Sequence, residues 1–113
     1  MMTDWNAYRA HLGESIGAFA TLSPGTLKGL QTLDRAAAET GHLDAKTREL
    51  IALAVAVTTR CDGCISVHST AAVKAGATKA EIAEALGVAV ALNAGAAVVY
   101  SSRVLDAVET VKV

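Results

Sequence analysis

Two cysteines and a histidine lie close together in the middle of the chain, at Cys61, Cys64 and His68, and an acidic residue, Glu49, stands twelve positions before the first cysteine. At about 100° per residue, a helix carrying Cys61, Cys64 and His68 holds all three within a sector of roughly 60°. His68, four residues beyond Cys64, is then in reach of its sulfur or of a water bound to it. Glu49 belongs to the preceding element and joins the cluster only if the chain folds back. Cysteines one turn apart can cycle between dithiol and disulfide, so the first chemistry to consider is redox.

A cysteine that attacks a peroxide or a disulfide must be a thiolate, because the thiol is a poor nucleophile. A helix N-terminus, a nearby histidine and the Cys-x-x-Cys spacing each lower a thiol pKa, and all three are available to Cys64. Cys61 is placed to attack the sulfenic acid formed by oxygen transfer and to close a disulfide. Other readings remain open. Free cysteines are often small buried hydrophobes, and a zinc site would use the same residue types, although two cysteines followed so soon by one histidine do not match the usual structural pattern. Glu49 alone reads as an ordinary acid near a helix start, and His68 alone as a hydrogen-bonded structural histidine. His11 and His42 have no partner at suggestive spacing.

Composition narrows the setting. A chain of 113 residues makes one domain, 1–113. The net charge of −1, with no clustering by sign, points to neither nucleic acid nor a membrane surface as partner. Hydrophobic residues make up 52%, a high share for so small a body, and burial between subunits of an oligomer would accommodate it. Met1 to Ala20 includes Asp4, Arg9, His11 and Glu14, which breaks any secretory-type apolar core. The most apolar stretch, Leu86 to Tyr100, contains Gly87, Asn93 and Gly95 and falls short of the roughly 20 residues of a bilayer span. A cytoplasmic location is expected. In that reducing setting two cysteines three apart are catalytic or metal-binding more often than a permanent staple.

The elements that must hold these residues read as helices throughout, so the fold class is all-α, a helical domain of about six helices. A first helix from about Asp4 to Ala20 carries an apolar stripe of Trp5, Tyr8, Leu12, Ile16 and Phe19, weakened by Gly13 and Gly17, where a break or bend is expected. Ser23 caps a second with Pro24 at its first position, ending near Thr40 and Gly41. Asp44 caps a third reaching about Thr59, whose interior, Leu50 to Val57, is apolar all round and therefore expected to be buried on all sides. A fourth holds the cysteines near its start and ends at Gly76. A fifth opens with the capping box Thr78 to Glu81, and a break near Asn93 to Gly95 separates it from a sixth over roughly Ala94 to Val111.

These motifs resemble a known family. Glu49, Cys61, Cys64 and His68, with Leu43 to Ile51 leading in and Gly76 to Ile82 following, are similar to the alkylhydroperoxidase D-like branch of the carboxymuconolactone decarboxylase family. The resemblance implies an all-helical fold assembling as a homotrimer or homohexamer, and a thiol-dependent peroxidase reducing hydrogen peroxide or organic hydroperoxides. It implies Cys64 as the peroxidatic cysteine, Cys61 as the resolving one, and Glu49 with His68 as a proton relay. No haem, flavin or metal cofactor is implied. A dithiol carrier, lipoyl or thioredoxin-like, would restore the pair. Where well-studied members have a second histidine directly before the second cysteine, this chain has Gly63 and lacks that hydrogen-bonding partner. Decarboxylase members of the family typically lack the cysteine pair, which counts against that activity here. The alternatives are a redox-sensing oligomer whose disulfide alters assembly, or an enzyme acting on a small organic acid or lactone with the cysteines incidental.

Overall fold

The computed structural model describes Met1–Val113 and contains five α-helices: α1 (Trp5–Leu22), α2 (Pro24–Thr40), α3 (Ala45–Thr59), α4 (Asp62–Lys74) and α5 (Lys79–Glu109). Each start follows from a local signal. Asp4 accepts from the Ala7 amide at 3.1 Å and Asp44 from the Thr47 amide at 2.8 Å, so each carboxylate satisfies one of the unpaired donors of a first turn. Thr78 and Glu81 form a reciprocal capping box at 3.1 and 2.9 Å. Ser23 stands at the N-cap of α2, yet its hydroxyl pairs with that of Thr26 at 2.7 Å, leaving Pro24 as the main start signal. Two ends require glycine, because Gly41 (φ 78°) and Gly76 (φ 91°) adopt the left-handed conformation that closes a helix.

Three expectations are corrected. Gly13 and Gly17 do not interrupt α1, which runs unbroken to Leu22. The fifth and sixth helices are one element of 31 residues, giving five helices in place of six. Asn93, taken as a breaker, donates to the Ala89 carbonyl one turn back at 2.7 Å and to the Thr58 hydroxyl of α3 at 2.9 Å. Its side chain is thereby used within the helix and across to its neighbour, and the alanines around Gly95 keep the backbone helical. The fused helix also changes the reading of the apolar stretch, since α5 is long and apolar enough, by length and composition, to cross a membrane.

The third correction concerns burial. α3 packs between α4 and α5, and where these helices come closest Leu53, Ala56, Ser66, Ala72 and Ala89 are buried. The remaining apolar faces of α3 are open, with Ile51 50% and Val55 55% exposed. A helix apolar on every side needs more neighbours than one chain supplies. The radius of gyration is 18.6 Å, against about 13 Å for a compact globule of this length, and α2 lies outside the α3–α5 unit, touching mainly α1. Trp5 and Tyr8 stack edge to face at 5.6 Å near the start of α1.

Lys46 at the start of α3 and Glu81 at the start of α5 form an exposed ion pair at 2.7 Å. The Lys46 ammonium, followed by the Thr78 capping contacts, draws the Glu81 carboxyl down to about 2. A carboxylate whose folded value lies below its unfolded one contributes stability above the unfolded value and loses it as pH falls towards the folded one. The window here runs from about 4.5 down to about 2. Glu81→Gln retains an N3 residue suited to the capping box, so urea unfolding at a series of acidic pH values should show a shallower loss of stability for the variant than for the unmodified chain.

Candidate active site

The cysteines enter the structure through a strained turn. α3 ends at Thr59, and Arg60 follows in the left-handed conformation (φ 55°, ψ 50°), the only non-glycine residue in the chain with positive φ. Such a residue costs about 1–2 kcal/mol relative to ordinary helical backbone. The turn sends the chain back antiparallel to α3 and places Cys61, itself extended, at the N-cap of α4. Its sulfur takes the place that a serine or aspartate oxygen holds at other helix starts and accepts the Cys64 amide at 3.1 Å.

This arrangement treats the two sulfurs differently. The Cys61 thiol is held below its ordinary value, first by the neighbouring Cys64 side chain and then by the Cys64 backbone amide, with the charge of Asp62 opposing. Cys64 is pushed up, first by its contact with Cys61 and then by burial. The sequence expectation gave the helix N-terminus to Cys64. The structure gives that end to Cys61, because the first turn of α4 begins one residue after Cys61 and the donated amide is the one belonging to Cys64 itself.

The reversal at Arg60 also brings Glu49 back. Its carboxylate lies 2.7 Å from His68 Nδ1, across the α3–α4 hairpin, with both side chains half-buried. Glu49 therefore joins the cluster, a contact that spacing alone left conditional. With Nδ1 engaged by a carboxylate, the imidazole is fixed in orientation and Nε2 is the nitrogen left for proton exchange. No group of three or more His, Cys, Asp or Glu side chains is arranged to hold a metal ion.

The opposite face of α4 is held by α1. Arg9 Nε donates to the Ser66 carbonyl at 3.1 Å and an Arg9 terminal nitrogen to the Ser69 hydroxyl at 3.4 Å. Ser66 is fully buried and donates its own hydroxyl to the Gly63 carbonyl at 2.8 Å. A Cβ on Gly63 would stand 3.4 Å from a Leu12 methyl and 3.9 Å from the Cys61 sulfur. Leu12 thus lies against the backbone directly between the cysteines. Arg9, Leu12 and Ser66 were not identified from sequence. Leu12 looked like one more member of an apolar stripe, and nothing in the spacing pairs Arg9 with a residue 57 positions away.

Comparisons with known proteins find matches to both the sequence and the fold. The sequence profile of the carboxymuconolactone decarboxylase family matches residues 24–107. An uncharacterized protein of Haemophilus influenzae is 56% identical over 107 residues, covering 95% of each chain. Another from the cox locus of Paracoccus denitrificans is 36% identical, covering 90% of this chain and 88% of that one. Among solved structures, an apo carboxymuconolactone decarboxylase family protein of Legionella pneumophila superposes with a TM-score of 0.73 at 37% identity, covering 93% of this chain and 94% of the other. A protein of Methanobacterium thermoautotrophicum gives a TM-score of 0.69 at 32% identity, covering 76% of this chain and 97% of its own.

The close approach of Leu12 makes the residue between the cysteines testable. Gly63→Ala should keep or slightly raise stability in urea unfolding, because its Cβ would meet Leu12 at ordinary contact distance and alanine favours the helix over glycine by roughly 0.5–1 kcal/mol.

Proposed function

The chain belongs to the carboxymuconolactone decarboxylase family, and from that premise we propose that it is a thiol-dependent peroxidase of the alkylhydroperoxidase D-like type. The observation that carries the reading is the Glu49–His68 hydrogen bond, 2.7 Å across the hairpin, on the helix that bears Cys61 and Cys64. A half-buried carboxylate that fixes one imidazole nitrogen leaves a histidine suited to move protons beside a redox pair. An incidental cysteine pair would need no such partner.

In the proposed cycle, one thiolate attacks an oxygen of hydrogen peroxide or an organic hydroperoxide. The O–O bond breaks, a sulfenic acid forms, and the departing alkoxide or hydroxide takes a proton. The second thiol attacks the sulfenic sulfur, forming the disulfide and releasing water. Sulfur loses two electrons and the peroxide gains them. A dithiol carrier, lipoyl or thioredoxin-like, then reduces the disulfide by exchange. Cys61, Cys64, His68 and Glu49 are the catalytic residues, no cofactor takes part, and a cytoplasmic setting suits the reduced pair.

The working form is proposed to be a homotrimer or homohexamer. Val98, Leu105 and Val108 of α5 and Leu30 and Leu33 of α2 are all exposed, more apolar surface than a free monomer of this size usually carries. For α5 the subunit-interface reading is preferred to a membrane span. It is already packed against α3, and Asn93 ties it there by hydrogen bonding to Thr58. The same exposed surface favours a second reading, a redox-sensing oligomer whose disulfide alters assembly. Activity on a small organic acid or lactone is a third, and it would survive loss of both cysteines.

Two measurements separate these readings. Purified reduced protein should consume cumene hydroperoxide with the loss of two thiols per chain and should turn over when dihydrolipoamide is supplied. Cys61→Ser and Cys64→Ser should each abolish recycling. Thiol loss without turnover would leave the redox sensor, and activity on a lactone in the double variant would leave the third reading. For assembly, light scattering should give a mass of three or six chains, and Leu105→Glu should shift it to smaller species, since a charge buried in an apolar contact is strongly disfavoured.

A further inference from the structure

We propose that Arg60 recognises an anionic group on the dithiol reductant, so that a carrier whose thiols stand beside a carboxylate is the one that restores the Cys61–Cys64 pair. This role rests on the dithiol cycle proposed above and names the chemistry of its reducing partner.

The backbone at Arg60 suits glycine. A residue with a Cβ is disfavoured at φ 55°, ψ 50°, and the chain fills its two other positive-φ positions with Gly41 and Gly76. The turn itself uses main chain alone. The Arg60 amide donates to the Ala56 carbonyl, and so does the Cys61 amide at 3.0 Å, both of which a glycine would leave in place. What arginine adds is its side chain, and a strained residue at a reactive site directs attention to what that side chain does.

Nothing within the chain uses it. Arg60 is exposed, and its guanidinium enters neither of the two ion pairs, Lys46–Glu81 and Glu49–His68. Other arginines are engaged: Arg9 with the Ser66 carbonyl, Arg48 with the Leu43 carbonyl, and Arg103 over the Tyr100 ring at 5.0 Å. Arg35 is also without a partner, but it lies on the regular exposed surface of α2, where its backbone is unstrained. A cation at the end of α3 gains from the helix dipole, yet a residue in the last turn would gain as much without a left-handed backbone.

Position gives the free charge a use. Arg60 adjoins Cys61, so a dithiol that exchanges with the pair must bring its sulfur to this end of the α3–α4 hairpin. A guanidinium there attracts a carboxylate and can bind it through two parallel hydrogen bonds. In the reducing step, one thiolate of the carrier attacks a sulfur of the Cys61–Cys64 disulfide, and the S–S bond opens to a mixed disulfide. The carrier's second thiolate then displaces the protein sulfur. Two electrons pass to the cysteine pair, the carrier closes its own disulfide, and its two protons end on Cys61 and Cys64. Arg60 takes no part in these bond changes and holds the carrier's anion beside them.

The test starts from protein oxidised with diamide to the Cys61–Cys64 disulfide and freed of oxidant. Its reduction is followed in single turnover by dihydrolipoate or by dihydrolipoamide, the same dithiol with its carboxylate converted to a neutral amide. The unmodified protein should react faster with dihydrolipoate. The ratio of the two rate constants should fall about two- to fivefold in Arg60→Gly, the size of one exposed ion contact. Arg60→Lys should retain more of the ratio than Arg60→Gly, and added salt should lower it in the unmodified protein. A ratio unaltered by Arg60→Gly, or lowered as far by Arg60→Lys, would overturn the proposal. The urea midpoint of Arg60→Gly should rise, since glycine relieves the turn. A lower midpoint would show that the guanidinium supports the fold, and a changed mass in light scattering with an unchanged ratio would place it in a subunit contact; either result would overturn the assignment.

A lipoyl-lysine peptide flanked by aspartates, compared with one flanked by serines, identifies the source of the anion. An Arg60-dependent preference for the aspartate peptide supports a carrier protein with an acidic face, and a preference confined to free dihydrolipoate supports a small-molecule reductant. No hydroperoxide enters these measurements. A protein that fails to consume cumene hydroperoxide but keeps the Arg60-dependent ratio therefore loses the peroxidase reading and retains this one, whereas failure of the cysteine pair to oxidise would overturn both.

Discussion

The contact between Glu49 and His68 depends on the antiparallel course of α3 and α4, and that course depends on one residue. Arg60 in the left-handed region reverses the chain within a single position, so that a carboxylate eleven residues before the turn meets an imidazole eight residues after it. A longer loop would leave the two helices free to slide. The register here is set by a strained turn at one end and a half-buried hydrogen bond further along, and the cysteines lie between these two constraints. Strain of this kind persists only where surrounding contacts over-determine it. The Cys64 amide on the Cys61 sulfur, the Cys61 amide on the Ala56 carbonyl and the packing of α3 on α4 supply those contacts.

The reverse side of α4, with the glycine between the cysteines, is the side that α1 covers. α1 is drawn against α4 by Arg9, which reaches the Ser66 carbonyl, and by Leu12, whose methyl would touch a Cβ at position 63 at ordinary contact distance. On the other face of α4, His68 pairs with Glu49. Ser66, fully buried, links the two sides, since its hydroxyl holds the Gly63 carbonyl while its own carbonyl receives Arg9.

Much of this was legible in the sequence because the signals were local. Asp44, the Thr78–Glu81 box, Gly41 and Gly76 act within one turn of their own positions, and helix boundaries followed from them closely. Cys61, Cys64 and His68 were singled out by type and spacing and Glu49 mainly by the family resemblance, and the folded hairpin unites Glu49 with His68. What was not legible depended on non-local contacts. Asn93 reads as a breaker until Thr58, 35 residues earlier, is there to receive its amide. Arg9 is a generic surface cation until Ser66 is opposite. The cap on Cys61 was missed for a different reason. Equal spacing makes two cysteines look equivalent, and only the backbone conformation at the helix boundary decides which sulfur lies outside the helix and receives a donor.

The apolar surplus follows the same logic on a larger scale. No charged residue separates Glu84 from Arg103 on α5, and most of that helix meets no other part of the chain. α3 covers one side, at Ala89, where a small residue lets the two helices approach closely. Exposing valine and leucine on the remaining sides costs roughly 1.5–3 kcal/mol for each side chain left in water compared with burial. Over a helix of 31 residues that is comparable to the whole stability of a small domain. Copies of the chain that pack α5 against one another would remove that cost. The hairpin bearing Cys61, Cys64, Glu49 and His68 shares α3 with α5, so burying α5 would also restrain the helix from which Glu49 reaches His68.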